Sequence, residues 1–179
     1  MKKISKPRDT EYALYYENYV KLVPAEPSVL DQLKASAKEV TALYKSLDTA
    51  SLLTPYEPGK WSLRDLLMHL IDVERVFVYR AMRFARLDRT PLPFFDENEF
   101  AKQAQADKIP LSKLLKEYNA NRNLTIAFFN NLTAKQVERA GIASQYTMSV
   151  RACAWIIAGH ELHHRHIIAT RYLSGHKNQ

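Results

Sequence analysis

Apolar side chains recur every three or four residues over four long stretches of the chain, the spacing that places them on one side of an α-helix. The first stretch runs from Ser28 to Leu47, with Leu30, Leu33, Ala37, Val40 and Leu43 in phase. Ser28 is placed to cap it, with Asp31 three residues on as the second half of a capping box. The second follows Pro58-Gly59-Lys60-Trp61 and ends near Arg86. Ser62 and Asp65 form its box, and Leu63, Leu66, Leu67, Leu70, Val73, Phe77, Ala81 and Phe84 its stripe. A third spans Leu111 to Asn130, with Leu114, Leu115, Tyr118, Leu124, Ile126, Phe128 and Phe129 expected inside. A fourth runs from Ser149 to Leu173, with Gly175 as its stop.

Between these stretches lie a proline-rich segment with Pro91, Pro93, Phe94 and Phe95, and a linker from Asn131 to Tyr146 with a short capped turn at Thr133–Gln136. Residues 11–22 have helical character, but Pro24 and Pro27 isolate them, and Tyr12, Tyr15, Tyr16 and Tyr19 suit a packed arm. The pattern predicts an all-α protein: an N-terminal arm over residues 1–27, a four-helix bundle over 28–174 and a tail over 175–179.

Composition agrees. Only four glycines interrupt 179 residues, a length that fits one domain with a sizeable core. A single cysteine, Cys153, permits no internal disulfide and suits a reducing compartment, so the cytoplasm is the expected location. The basic start MKKISKPRDTEYALYY leads into no signal-like apolar run, and no stretch approaches the roughly 18 apolar residues of a membrane span. The net charge is +7, but bases and acids are interspersed and no recognition module accompanies them. Neither a specific nucleic-acid role nor a membrane role is expected.

Four of the six histidines fall in Gly159-His160-Glu161-Leu162-His163-His164-Arg165-His166. Residues four apart share a helix face, so His160 and His164 point the same way, on the side that carries Ile156, Ile157, Ile167 and Ile168. A buried imidazole needs a hydrogen-bond partner or a metal. One histidine alone reads as a core residue bonded to a carbonyl; the pair favours a metal. His69, mid-helix two, is the candidate third ligand, completing a His₃ set with open coordination positions. Nitrogen ligation suits zinc or nickel first, then iron or manganese. His163 and His166 lie off this face, and His176 falls in the tail.

His160-Glu161-Leu162-His163-His164 also fits H-E-x-x-H, the zinc-protease pattern in which the glutamate is the general base. Only 15 residues follow His164, and the metzincin continuation is absent. Glu161 stays a catalytic candidate for proton transfer. Arg80 and Arg171 are candidate substrate-binding residues, since a guanidinium suits a carboxylate; a surface ion pair is the competing reading for both. Asp72 and Glu74 are candidates to orient an imidazole, with a solvated acidic face as the equal competing reading for both. Cys153 reads as a small buried residue, Trp61 and Trp155 as core or pocket wall.

The segment from Gly59-Lys60-Trp61-Ser62 through His69 to Glu74 resembles the second-helix signature of the DinB/YfiT-like superfamily, and Ala158–His164 its fourth-helix signature. Thr90–Asn98 resembles a loop of one branch, with Phe94 where that branch has glycine. The likeness extends from Tyr12 to Leu173. It implies a four-helix bundle with a divalent metal on His69, His160 and His164, in the bacterial cytoplasm and frequently in a homodimer. It also implies a metal-dependent enzyme acting on a small molecule, either a hydrolase or a transferase of a low-molecular-weight thiol. A non-catalytic metal-binding stress-response module is the alternative.

Overall fold

The computed structural model describes residues 1–173; the expected tail 175–179, with Gly175 and His176, lies outside the described residues. A short α1 (Glu17–Leu22) precedes the first long helix, α2 (Val29–Ser46). One turn, α3 (Thr49–Leu53), leads to α4 (Leu63–Ala85). Then come α5 (Glu97–Ala104), α6 (Leu111–Asn131) and α7 (Ala134–Val137). An antiparallel hairpin of β1 (Ala140–Ala143) and β2 (Tyr146–Ser149) feeds α8 (Val150–Ile167). The caps form where the side chains predict them. Ser28 accepts the Asp31 amide, Ser62 and Asp65 make a full capping box, and so do Thr133 and Gln136.

Helix α4 packs against α6 and α8, and α2 packs against the same two. The long helices therefore stand as a square, with α2 and α4, successive long helices in sequence, across one diagonal. This is the all-α four-helix bundle that the periodicity predicts. No helix among the described residues is long and apolar enough to cross a membrane.

Three local expectations give way. Leu124 is 71% exposed, because α6 turns Tyr118, Arg122, Thr125 and Phe129 inward. Arg122 is held there by Glu74 and Glu161, and Leu124, two residues on, must face out. The segments expected to be loops contain α3, α5 and the hairpin. Finally, α8 does not run on as an α-helix to Leu173: Ile168–Tyr172 form a wider π-type turn, closed by the Leu173 amide on the Ile168 carbonyl.

The arm shares the bundle's core through Ile4, Tyr12, Val20 and Val23. Helix α1 lies on α8 so closely that a Cβ on Gly159 would stand 2.0 Å from the Tyr19 carbonyl oxygen. Farther back, Glu11 accepts hydrogen bonds from Arg8, Ser149 and Arg151. Burial alone would raise this carboxyl, but those donors outweigh it and hold it at about 2, against an ordinary 4.5. A carboxylate lowered on folding contributes stability that is complete above its unfolded pKa and drains away as pH falls to the folded one. Near neutral pH, Glu11→Gln should cost about 3 kcal/mol in urea denaturation. Its stability-against-pH curve should converge on that of the wild type between about pH 4.5 and pH 2. Parallel curves through that window would show that the ion pair does not hold the arm.

Candidate metal centre

His69 sits in the second turn of α4, one turn before Val73 and two before Phe77; His160 and His164 are one turn apart on α8. Because α4 packs directly on α8, the three rings meet. Nε2 of His160 lies 3.0 Å from Nε2 of His69 and 3.0 Å from Nε2 of His164. His69 and His160 are buried, and His164 is partly so. Burial pushes His69 down to about 4 and His164 to about 3. Burial, then repulsion from the neighbouring imidazoles, takes His160 well below its ordinary value. All three are neutral near pH 7 and offer lone pairs.

Such a donor set fits a cation. Nε2 of His160 confronts two nitrogens at once, and a single proton serves only one such contact well. Two imidazole nitrogens on one ion at about 2.1 Å each lie at most about 4.2 Å apart, which the 3.0 Å separations satisfy. A ligand atom from each of the three falls within 4.8 Å of the others.

The triad faces a cavity of about 330 Å³ walled by Trp61, Phe77, Phe94, Phe95 and three tyrosines of the arm, Tyr15, Tyr16 and Tyr19. The Trp61 ring lies 4.6 Å from that of His69, and Tyr19 stands edge-on to His160 and His163. Phe94 is 74% exposed at the cavity wall. The sequence reading took the tyrosines for arm packing; the close approach at Gly159 turns them into the pocket's wall. Glu97 and Ser144 also line it: Glu97 belongs to the loop that resembles one branch of the superfamily but was not singled out there, and Ser144 lies in a segment that carried no sequence signal.

Glu161 does not join the triad. It points to the other side of α8, fully buried, and accepts hydrogen bonds from Ser36, Tyr118 and Arg122. Burial would raise its carboxyl, but the Arg122 charge and these hydrogen bonds prevail and lower it. Spent in this way, it is a structural anion, and the zinc-protease role for it fails on geometry. Glu74 is bound to Arg122 and Asp72 to Arg75, so neither has the imidazole-orienting place expected of it. Arg171 is exposed on the π-type turn and is not among the residues lining the triad's cavity. Arg80 is buried behind the cavity wall, over the ring of Phe77. His163 forms part of the wall and His166 is exposed. Cys153 is buried, and Trp155 donates its indole N–H to the Ile4 carbonyl.

Residues 32–168 match the sequence profile of the DinB superfamily. Proteins of Oceanobacillus iheyensis and Bacillus pumilus, both named "Putative metal-dependent hydrolase", are 24% and 26% identical to this chain. Each match covers 75% of this chain and 78% of the relative. YfiT from Bacillus subtilis, described as a probable metal-dependent hydrolase with an unusual four-helix bundle topology, superposes with a TM-score of 0.66 at 19% identity. That match covers 96% of this chain and 92% of YfiT. A mycothiol-dependent maleylpyruvate isomerase superposes with a TM-score of 0.63 at 14% identity, over 81% of this chain and 60% of its own.

The two places for Glu161 separate in one variant. Glu161→Gln should lower stability by about 3 kcal/mol, since it leaves Arg122 short of a buried partner, while the folded protein, with all three imidazoles present, still binds metal, though more weakly. Unchanged stability in urea would remove the structural assignment.

Proposed function

The chain belongs to the DinB superfamily, and from that premise we propose that it is a metal-dependent enzyme in which His69, His160 and His164 hold one divalent cation, zinc or nickel, beside a small-molecule substrate. The observation that carries this reading is the convergence of three neutral Nε2 atoms at the wall of an aromatic cavity. The bound cation supplies Lewis acidity, which lowers the pKa of a water or thiol enough to give a nucleophile near neutral pH. Hydrolysis and thiol transfer share that requirement. The names of the relatives support the first, and the fold shared with a mycothiol-dependent isomerase supports the second.

The chain's own residues prepare the site. Burial keeps the imidazoles unprotonated, so their lone pairs are available at working pH. Trp61 and Tyr19 fix the ring planes by packing on them. The aromatic wall excludes water from an apolar substrate. The Tyr19 hydroxyl, raised by burial, stays protonated and is no base at working pH. Glu97, the carboxylate on the cavity wall, is the proton acceptor of this reading. Structural zinc sites are closed by four protein ligands. Here three converge beside an open cavity, which favours the enzyme over the non-catalytic metal-binding stress-response module.

The test is turnover of a panel of simple esters and amides, and of small thiols paired with epoxide or alkyl-halide electrophiles, before and after chelation. Chelation should lower the active reaction on the order of 100-fold, and added zinc or nickel should restore it. Full turnover by the chelated protein would end the proposal, and a metal-loaded protein inert across the panel would favour the non-catalytic module.

A further inference from the structure

Two arginines are fully buried, and their surroundings differ. Arg122 has two carboxylates, Glu74 and Glu161, against its guanidinium. Arg80 is 2% exposed, and among the described residues no carboxylate lies within ion-pair reach of it. Its Nη2 donates to the Pro93 carbonyl at 3.1 Å and to Ser144 Oγ at 2.9 Å, while Nη1, also buried, meets no acceptor. The rings of Phe77 and Phe95 face the guanidinium at 5.2 and 5.8 Å. Nearby groups do not supply the missing negative charge. Burial raises the Tyr16 hydroxyl, which lies within hydrogen-bonding range of Arg80, and takes the Cys153 thiol to about 12, each against the pull of Arg80, so both stay neutral and neither balances its charge. An uncompensated buried charge costs several kcal/mol. A role in holding the Pro93 loop and the hairpin accounts for the hydrogen bonds but leaves the charge unbalanced.

Tyr16, Phe77, Phe95 and Ser144, which surround this guanidinium, all line the triad's cavity. Arg80 follows His69 by eleven residues on the same helix face, an axial distance of about 16 Å. Ser144 is held at the tip of a two-residue hairpin turn with φ +51°, followed by Gln145 at φ +71°. Such turns favour glycine and asparagine, and strained residues of this kind persist where a site requires them. The Ser144 amide is pinned to the Leu92 carbonyl at 3.0 Å. Because a guanidinium only donates, Ser144 Oγ accepts from Arg80, which leaves its own O–H free to donate into the cavity.

We infer that Ser144, with Arg80 behind it, forms an anion subsite at the end of the cavity remote from the triad, and that it receives one carboxylate of the substrate. This rests on the cavity being a substrate site. A monoanion fits, because a single guanidinium opposes a single charge, and Glu97 elsewhere on the cavity wall disfavours a substrate with a second one. The substrate class is thus an aromatic or apolar monocarboxylic acid whose reactive group lies toward the histidines.

Binding of phenylacetate, 3-phenylpropionate and 4-phenylbutyrate to the full-length protein, each compared with its neutral amide, tests this by calorimetry. At least one acid should bind about tenfold or more tighter than its amide. Ser144→Ala, at a surface turn, should keep its circular dichroism spectrum and lose most of that preference; Arg80→Gln should lose all of it. His160→Ala should retain it, which separates the subsite from the metal. Equal affinity of acid and amide in the wild type, or no binding of any acid, overturns the inference. A preference lost in His160→Ala but kept in Ser144→Ala and Arg80→Gln also overturns it, and leaves the metal centre standing as the carboxylate's holder. A preference kept in His160→Ala by a protein that carries no metal supports the subsite and removes the metal instead.

Discussion

One guanidinium fastens the bundle. Arg122, on α6, donates to Glu74 of α4, to Glu161 of α8 and to the Leu33 carbonyl of α2, so a single side chain touches all three other long helices. Burying such charges is unfavourable unless every partner is in place, so the network is satisfied only by the assembled square of helices. Its effect on the site is geometric. Glu161 follows His160 directly, about 100° around the helix. Fixing Glu161 on Arg122 therefore fixes the rotation of α8 that turns His160 and His164 toward His69. The ionic side of α8 aims its imidazole side.

The same network sets the electrostatics. Two carboxylates oppose one guanidinium, which leaves a net negative charge buried in the helix layer that carries the histidines. In a medium of low dielectric such a charge favours a cation nearby. The imidazoles, kept neutral by burial, contribute lone pairs and no charge of their own. On the opposite side, Arg80 adds an unbalanced positive charge near the far end of the cavity. The interior is thus polarised, receptive to a cation at the triad and to an anion at the hairpin.

Much of the fold was legible because helix signals are local. Serine caps, three- and four-residue apolar spacing and the prolines place the four long helices to within a residue or two, except at the end of α8. The i, i+4 histidine pair was legible for the same reason, and His69 was found because few histidines remained. Features that depend on tertiary contact were not legible. Arg122 carries no inward signal of its own until Glu74 and Glu161 are known to face it, and apolar character alone put Leu124 in the expected core. Glu161 matches a protease pattern in sequence, yet its direction is set by residues 39 and 125 positions away. The hairpin lacks an Asn-Gly turn, and the tyrosines become a wall only because Gly159 lets α1 approach.

The account stands on whether the three imidazoles bind one ion. The direct measurement is anomalous diffraction from crystals of the protein grown with zinc or nickel, collected at the metal's absorption edge. The account predicts a single strong peak about 2.0–2.2 Å from Nε2 of His69, His160 and His164 together. Ions found only at surface groups such as His166, with the three rings turned away from one another, would contradict it.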